Sequence, residues 1–427
     1  MAEFLLMPFG SAGDTLPFIG LGKQLQKRGH TVRVVANGYF KNHVKQAGLP
    51  FKELWGKEEY LAALSNPDIW HPTRGFNAVV GHPSMPALVE DQHQLIIEHF
   101  LRNPNLVVVA GSLAFGARIA RETHGIKLVT VHLSPAVILS AEKPTRLPNM
   151  RIPKWWPRSW VRTMYWLGNK MVIHPTMKRV VGAYRKELLL PPVKDYFRKW
   201  IHSTEMVLGL WPEWFASPAR DWPSGTRLLS FPFYDGTEEQ PLSSDMAHFL
   251  QDGPPPVVMT FGSAMTQGSK LFQASIEACE KLRLRALVLT PFREQVPGLL
   301  PPTVRHANFV PLSQVLPHAC ALIHHGGVGT MAMALKHGTP QLITPLAHDQ
   351  FDNASRVQAM SAGLWLAASK ATSRRLMPLL QKLVSTPIYR EQSKRIAMQL
   401  ATENCYEMCT SELEKLASRR ASTRFQM

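Results

Sequence analysis

The feature that most constrains this chain is a strand-turn-helix rhythm that runs through its first half, stops, and starts again. Phe4 to Phe9 is a short apolar run, Gly10-Ser11-Ala12-Gly13-Asp14 is a turn, and Leu16, Ile19, Leu21 and Leu25 follow at helical spacing in a helix expected over Thr15 to Arg28. Gly29-His30 breaks the helix, and the β-branched stretch from Thr31 to Ala36 reads as a second strand. Apolar runs separated by helical segments recur at Leu106 to Ala110, Leu128 to His132 and Met206 to Leu210. Alternation of this kind builds a parallel sheet covered by helices on both faces.

Between Pro212 and Pro256 prolines cluster, Gly236-Thr237-Glu238-Glu239 is polar, and Asp252-Gly253-Pro254-Pro255-Pro256 cannot continue a helix. The rhythm then restarts, with strands expected at Val257 to Phe261, Arg285 to Thr290, Asn308 to Val310, Ala321 to His324 and Gln341 to Pro345. At 427 residues one compact core is not expected. The chain therefore reads as an α/β protein of two Rossmann-like domains: residues 1–235, a connection over 236–256, a second domain over 257–400, and a C-terminal helix with a frayed basic tail over 401–427.

Lys and Arg total 48 against 31 Asp and Glu, a net charge of +17 that favours nucleotide phosphates, nucleic acid or an anionic membrane surface. The basic residues are dispersed and form no nucleic-acid motif, which disfavours the second. Cys279, Cys320, Cys405 and Cys409 lack metal-ligand spacing and read as reduced thiols of a cytoplasmic protein. Met1 to Phe9 has no basic leader and reads as a strand, and no stretch reaches the roughly 18 apolar residues of a membrane span. Trp155, Trp156, Trp160, Trp166 and Trp200 stand among many Lys and Arg, which suits either peripheral contact at the inner face of the cytoplasmic membrane or helices packed over a cleft.

The clearest chemical signal is His324-His325-Gly326-Gly327-Val328-Gly329-Thr330, between a strand and a helical run from Met331 to Lys336. Glycines there let the backbone approach a ligand, free amides at a helix start bind a pyrophosphate, and His325 adds a hydrogen bond or positive charge; the alternative is a tight turn with an incidental His pair. Asp349 and Gln350 stand past the end of the next strand, where a carboxylate beside a carboxamide suits sugar hydroxyls or, alternatively, caps a helix. Asn353 either reaches the same pocket or is a solvated helix residue. Ser263, in Phe261-Gly262-Ser263, offers a hydroxyl for phosphate, and Phe309 offers a face for a base unless it is core. Gly10 and Gly13 lack the Gly-x-Gly-x-x-Gly spacing of a dehydrogenase, so that turn presents one carboxylate, Asp14, as a general base or a helix cap.

Taken in order from Gly10 to about Gly363, these residues resemble the inverting nucleotide-diphosphate-sugar glycosyltransferases of GT-B fold, family 1. The donor signature is Phe309-Val310-Pro311 with Val315-Leu316-Pro317-His318, then His325-Gly326-Gly327-Val328-Gly329-Thr330, then Asp349-Gln350. Within that family the likeness is greatest to the bacterial rhamnosyltransferases of rhamnolipid synthesis, through Gly10 to Asp14, Asp68-Ile69-Trp70, Gly111-Ser112-Leu113, Ser134-Pro135, Trp214-Phe215-Ala216 and Ala347 to Ala354. The resemblance implies an aromatic stacked on the base, His325 and turn amides on the pyrophosphate, and Asp349-Gln350 on the sugar. It further implies Asp14 as base in place of the His of plant members, a cleft that closes for turnover, and a nucleotide sugar as co-substrate with no metal or other cofactor. The donors it implies are dTDP-rhamnose or UDP-glucose, and the acceptor an apolar or lipid hydroxyl such as a hydroxyalkanoyloxy-alkanoate. Flavonoid, sterol or carotenoid hydroxyls are the alternative acceptors; a non-catalytic sugar-nucleotide-binding subunit sits poorly with Asp14.

Overall fold

A computed structural model describes residues 1–148, 150–153, 155–236, 242–262 and 265–419. Two sheets carry the chain. The first holds β1 (Glu3–Met7), β2 (Thr31–Asn37), β3 (Phe51–Trp55), β4 (Val107–Gly111), β5 (Lys127–His132), β6 (Met206–Gly209) and β7 (Thr226–Leu228). The second holds β8 (Val257–Thr260), β9 (Ala286–Leu289), β10 (Val304–Ala307), β11 (Ala321–His324), β12 (Gln341–Ile343) and β13 (Gly363–Trp365). Their orders, β3-β2-β1-β4-β5-β6-β7 and β10-β9-β8-β11-β12-β13, repeat one winding. Every pair is parallel, and the inner strands are buried because helices cover both faces.

This winding dictates where ligands go. In each sheet the direction of strand progression reverses between the first and fourth strands, β1 and β4 in one, β8 and β11 in the other. Loops leaving the carboxyl ends of those strands diverge and leave a crevice. Asp14 follows β1 and His325 follows β11, so both lie at a switch point.

Several expected boundaries move. The strand expected at Asn308 to Val310 lies earlier, at β10, because Pro311 stops the ladder. The short strands β3, β7 and β13 escaped notice because none shows a long apolar run. The Pro-rich connection is not unstructured: it contributes β7 to the first sheet and a helix at Ser244–Gln251, with Ser243 as its cap. The helix Cys405–Ser418 returns to the first sheet, where Cys405, Cys409, Leu413 and Leu416 pack with Phe18 and Leu25. A frayed tail over 420–427 falls outside the described residues.

The two sheets are joined by a shared apolar seam in which Trp211, Phe215 and Phe231 meet Met331, Leu335 and Ile343. Polar bonds cross beside it. The Arg356 guanidinium donates to the Phe215 carbonyl at 3.1 Å, and the Arg146 amide donates to Asp352 at 2.9 Å.

Candidate functional site

The first wall of the site begins with a glycine. Gly10 has φ of +132°, and a Cβ there would stand 2.3 Å from the Asp14 carboxylate. Helix Ala12–Lys27 starts three residues earlier than the apolar spacing predicts, which puts Asp14 at its third position in a capping box with Ser11. The Ser11 amide and hydroxyl both donate to Asp14 Oδ2, at 2.8 and 3.0 Å. Oδ1 takes no hydrogen bond among the described residues. Cap and base are thus not alternatives: one oxygen is anchored and the other is left.

Burial pushes the Asp14 carboxyl up to about 6, against the two Ser11 bonds, with a further push from the charge on Asp349. That last influence matters most for the geometry, because Asp349 belongs to the other sheet. A run of aromatic rings leads to Asp14: Phe9 stacks on Trp55 at 6.2 Å, Trp55 meets Tyr60 edge-on at 5.8 Å, and the charge of Asp14 reaches the Tyr60 hydroxyl. Nothing in the sequence marks this wall, since Trp55 and Tyr60 lie some forty residues beyond Phe9 and Asp14.

The opposite wall is the loop after β11. The two adjacent histidines have different tasks. His324 is fully buried, donates from Nε2 to Gln341 at 2.9 Å and accepts the Gly326 amide on Nδ1 at 3.1 Å. It shapes the turn and occupies the Gly326 amide, whose residue sits at φ of +94°. His325 is buried with Nδ1 unpartnered among the described residues. Burial drives its imidazole down to about 4, so it is neutral at pH 7 and offers a hydrogen bond, not the positive charge that its type allowed. A Cβ on Gly327 would meet His325 Nε2 at 2.4 Å, so only glycine leaves room for that ring.

Helix Val328–Lys336 starts three residues earlier than expected, with Gly327 as its cap. Met331 is the first residue whose amide finds a carbonyl inside it, that of Gly327 at 3.0 Å. The amides of Val328, Gly329 and Thr330 therefore form a bare positive helix end beside His325. Ser263 lies outside the described residues. Phe309 is 65% exposed beyond β10, which removes the core alternative and leaves a free aromatic face.

Asp349 occupies the cap position of helix Gln350–Ala359 but makes no capping bond with its side chain. Instead Asn353, fully buried, donates to Asp349 at 2.9 Å and to the Gly326 carbonyl at 2.9 Å, tying the loop after β12 to the glycine turn. Asn353 is thus no solvated helix residue. Burial raises the Asp349 carboxyl, while Asn353, His348 and Ser134 favour its charged form. Gln350 is turned inward: its Oε1 accepts the Leu346 and Ala347 amides at 2.8 and 3.1 Å, so only its Nε2 remains to donate.

Two first-half residues complete the arrangement. Ser134, after β5, reaches Asn353 at 3.4 Å. Trp70 stands edge-on to both His325 and His348, at 6.5 and 6.0 Å, and its indole nitrogen is buried without a partner among the described residues. His348, in a left-handed conformation, donates from Nε2 to the Ile69 carbonyl at 2.8 Å. Trp70 was not marked as a site residue; its only signal was the Asp68-Ile69-Trp70 phrase. The cleft between the sheets thus brings together Asp14, His325, the Val328 to Thr330 amides, Asp349 and Asn353.

Two facing Rossmann-like domains with a carboxylate on one lip and a bare helix end on the other define the GT-B class. Comparison with known proteins agrees. Residues 4–141 match the glycosyltransferase family 28 N-terminal domain, and residues 287–416 match the erythromycin biosynthesis protein CIII-like C-terminal domain. The chain is 25% identical to O-mycaminosyltylonolide 6-deoxyallosyltransferase of Streptomyces fradiae, over 98% of each protein. It is 26% identical to a sterol 3-beta-glucosyltransferase of Arabidopsis thaliana, covering 84% of this chain and 59% of that one. A Pichia angusta sterol 3-beta-glucosyltransferase is 25% identical over 85% of this chain but only 30% of its own length. Among solved structures, the glycosyltransferase of kitacinnamycin superposes with a TM-score of 0.75 at 17% identity, covering 97% of this chain and 99% of that one. Glycosyltransferase VinC, solved with DTDP, gives 0.66 at 19% identity, over 98% and 100%. The chain is a glycosyltransferase of GT-B fold.

Proposed function

We propose that the chain moves a hexosyl group, with inversion, from dTDP-rhamnose or UDP-glucose to a hydroxyl of an apolar or lipid acceptor. The observation that carries this reading is Asp14 at the end of β1, anchored through one oxygen only on Ser11, with the charge of Asp349 from the other sheet reaching it and the bare helix end after β11 on the opposite wall. Burial holds its carboxyl near 6, which leaves it mostly ionised at pH 7 yet more basic than an ordinary Asp, and this suits proton removal from an alcohol in the transition state. Asp14 Oδ1 takes the proton as the acceptor oxygen attacks the anomeric carbon, and the C–O bond to the diphosphate breaks on the opposite face. The proton ends on Asp14 and the electron pair on the diphosphate.

Charge building there is met by the amides of Val328, Gly329 and Thr330, by the His325 N–H and by the Ser263 hydroxyl, so this reading requires no metal. Asp349 and the Gln350 Nε2 orient sugar hydroxyls, and Phe309 stacks on the base. Asn353 is a positioning residue, because it holds Asp349 against the glycine turn. Closure of the two domains brings donor and acceptor into line.

The aromatic rings Phe9, Trp55 and Tyr60 support an apolar acceptor, and a hydroxyalkanoyloxy-alkanoate of rhamnolipid type is the first candidate. A second reading, glycosylation of a macrolide, sterol or other polycyclic aglycone, is favoured by the names of the relatives above. Thermal-shift titration with dTDP-rhamnose and UDP-glucose, followed by mass spectrometry with a hydroxyacyl lipid, a sterol and a flavonol, separates them. Stabilisation by dTDP-rhamnose with a glycolipid product is expected; a sterol glucoside from UDP-glucose keeps the mechanism and replaces the substrates.

A further inference from the structure

The connection between β5 and β6, residues 133–205, is far longer than the dozen or so residues a parallel crossover needs. Its middle is basic: from Lys143 to Lys186 there are 11 Lys and Arg and no Asp or Glu, although Glu142 pairs with Arg158 and Glu122 with the buried Arg185. Helix Arg158–Gly168 within it buries Val161 and Tyr165, one turn apart, against Ala141, Ile152 and Trp156. Its other side is apolar as well. Trp160 and Leu167, at i and i+7, face outward, and Met171 in the wider turn Asn169–Ile173 that follows is exposed too, with Trp160 55% and Met171 68% exposed.

Trp155, 74% exposed, and Trp166, 55% exposed, flank these residues. The Trp156 ring bridges Trp155 and Trp160 edge-on, at 6.5 and 6.0 Å, and the Lys170 ammonium lies 5.2 Å from the Trp166 ring centre. Single exposed hydrophobic residues need no explanation, but several on one helical face among cations mark a partner. The tryptophans thus divide: Trp156 and Trp200 pack inward while Trp155, Trp160 and Trp166 face out.

We propose that this face is a landing surface for an anionic lipid bilayer. Indole rings settle at the headgroup level, Leu167 and Met171 reach the acyl boundary, and the surrounding cations meet lipid phosphates. A second copy of the chain would bring two cationic faces together. A nucleic acid would leave the Leu167 and Met171 side chains without an apolar partner. No helix among the described residues is long and apolar enough to cross a membrane, so the contact is with the surface. The neighbouring loop also leads to the cleft: Ile152 packs under the tryptophan helix, while the Arg146 amide donates to Asp352, three residues from Asp349. An amphiphilic acceptor therefore has a short path from bilayer to site, a consequence that rests on the acceptor reading above; the landing surface itself does not.

Sedimentation of the full chain with phosphatidylcholine vesicles, with and without about a third phosphatidylglycerol, tests this without any substrate. Retention by the anionic vesicles alone is expected, falling about tenfold in high salt or in the Trp155→Ser, Trp160→Ser, Trp166→Ser variant. The melting temperature of that variant should stay at the wild-type value, since all three side chains are exposed. A separate Arg162→Gln, Lys170→Gln variant should lose anionic selectivity. The proposal is overturned if the wild type stays in the supernatant or if the triple variant sediments like it. Loss of a wild-type dimer, or of duplex DNA retention, in the triple variant without vesicle binding overturns it in favour of self-association or a nucleic acid.

Discussion

The turn after β1 and the turn after β11 are the same device with opposite chemistry. Each follows a buried parallel strand, carries a glycine at positive φ, and opens a helix at a switch point. After β1 the first helical turn is filled by its own side chain, because Asp14 folds back on Ser11 and brings a negative charge to the positive helix end. After β11 the first turn is Val328-Gly329-Thr330, with no acidic residue, so the same helix end is left for an anion from outside. One residue type at the third helical position separates the base from the anion receptor of the proposed transfer.

Breaking the first turn should have the largest effect. Asp14→Asn is expected to lower kcat about a thousandfold in the proposed transfer, with donor binding by calorimetry unchanged. In the wild type, activity should fall as pH drops through about 6, the value to which burial pushes Asp14. The same shift bears on stability. A carboxyl raised from 3.8 contributes stability that is complete below pH 4 and is lost as pH rises through about 6, so Asp14→Asn should be more stable than wild type at pH 7, by about 1 kcal/mol in urea unfolding. Lower stability would mean that the capping box outweighs the burial.

Breaking the second turn comes next. His325→Ala should cost about a hundredfold in kcat/KM, chiefly by weakening hold on the diphosphate. Unchanged affinity for the free nucleoside diphosphate would remove His325 from that role. Because His325 is held near 4, no titration near pH 6.5 should be traceable to it in proton NMR of the ligand-free chain. Gly10→Ala joins the two comparisons by forcing the Asp14 carboxylate aside while leaving its chemistry intact, and a loss of about tenfold to a hundredfold in kcat is expected. Phe309→Ala should have the smallest effect, about threefold to tenfold in donor KM, since only one exposed ring face is removed.

Much of the architecture was legible because parallel sheets are written as apolar runs. β1, β4, β5, β8, β9 and β11 are such runs, and each was found within a residue or two. β3, with Lys52 and Glu53 exposed, and the three-residue β7 and β13 were missed because edge strands need little apolar surface. The two glycine turns and Asp349 were visible as residue types at strand ends. Asn353 was visible only as a possibility, and Trp70, Trp55 and Tyr60 not as a group, since their role comes from distances between segments far apart in sequence.

Sequence alone therefore determined that this chain has two parallel α/β sheets and a glycine-rich turn after a strand of the second, because strand periodicity and strand-end glycines are local signals. Only tertiary structure decided that the charge of Asp349 reaches Asp14 from the other sheet, that one histidine shapes the turn while its neighbour keeps an unpartnered ring nitrogen, and that three of the tryptophans look outward. Those facts depend on which groups share a space and on how much water they lose there, and burial of that kind is a property of the assembled domains.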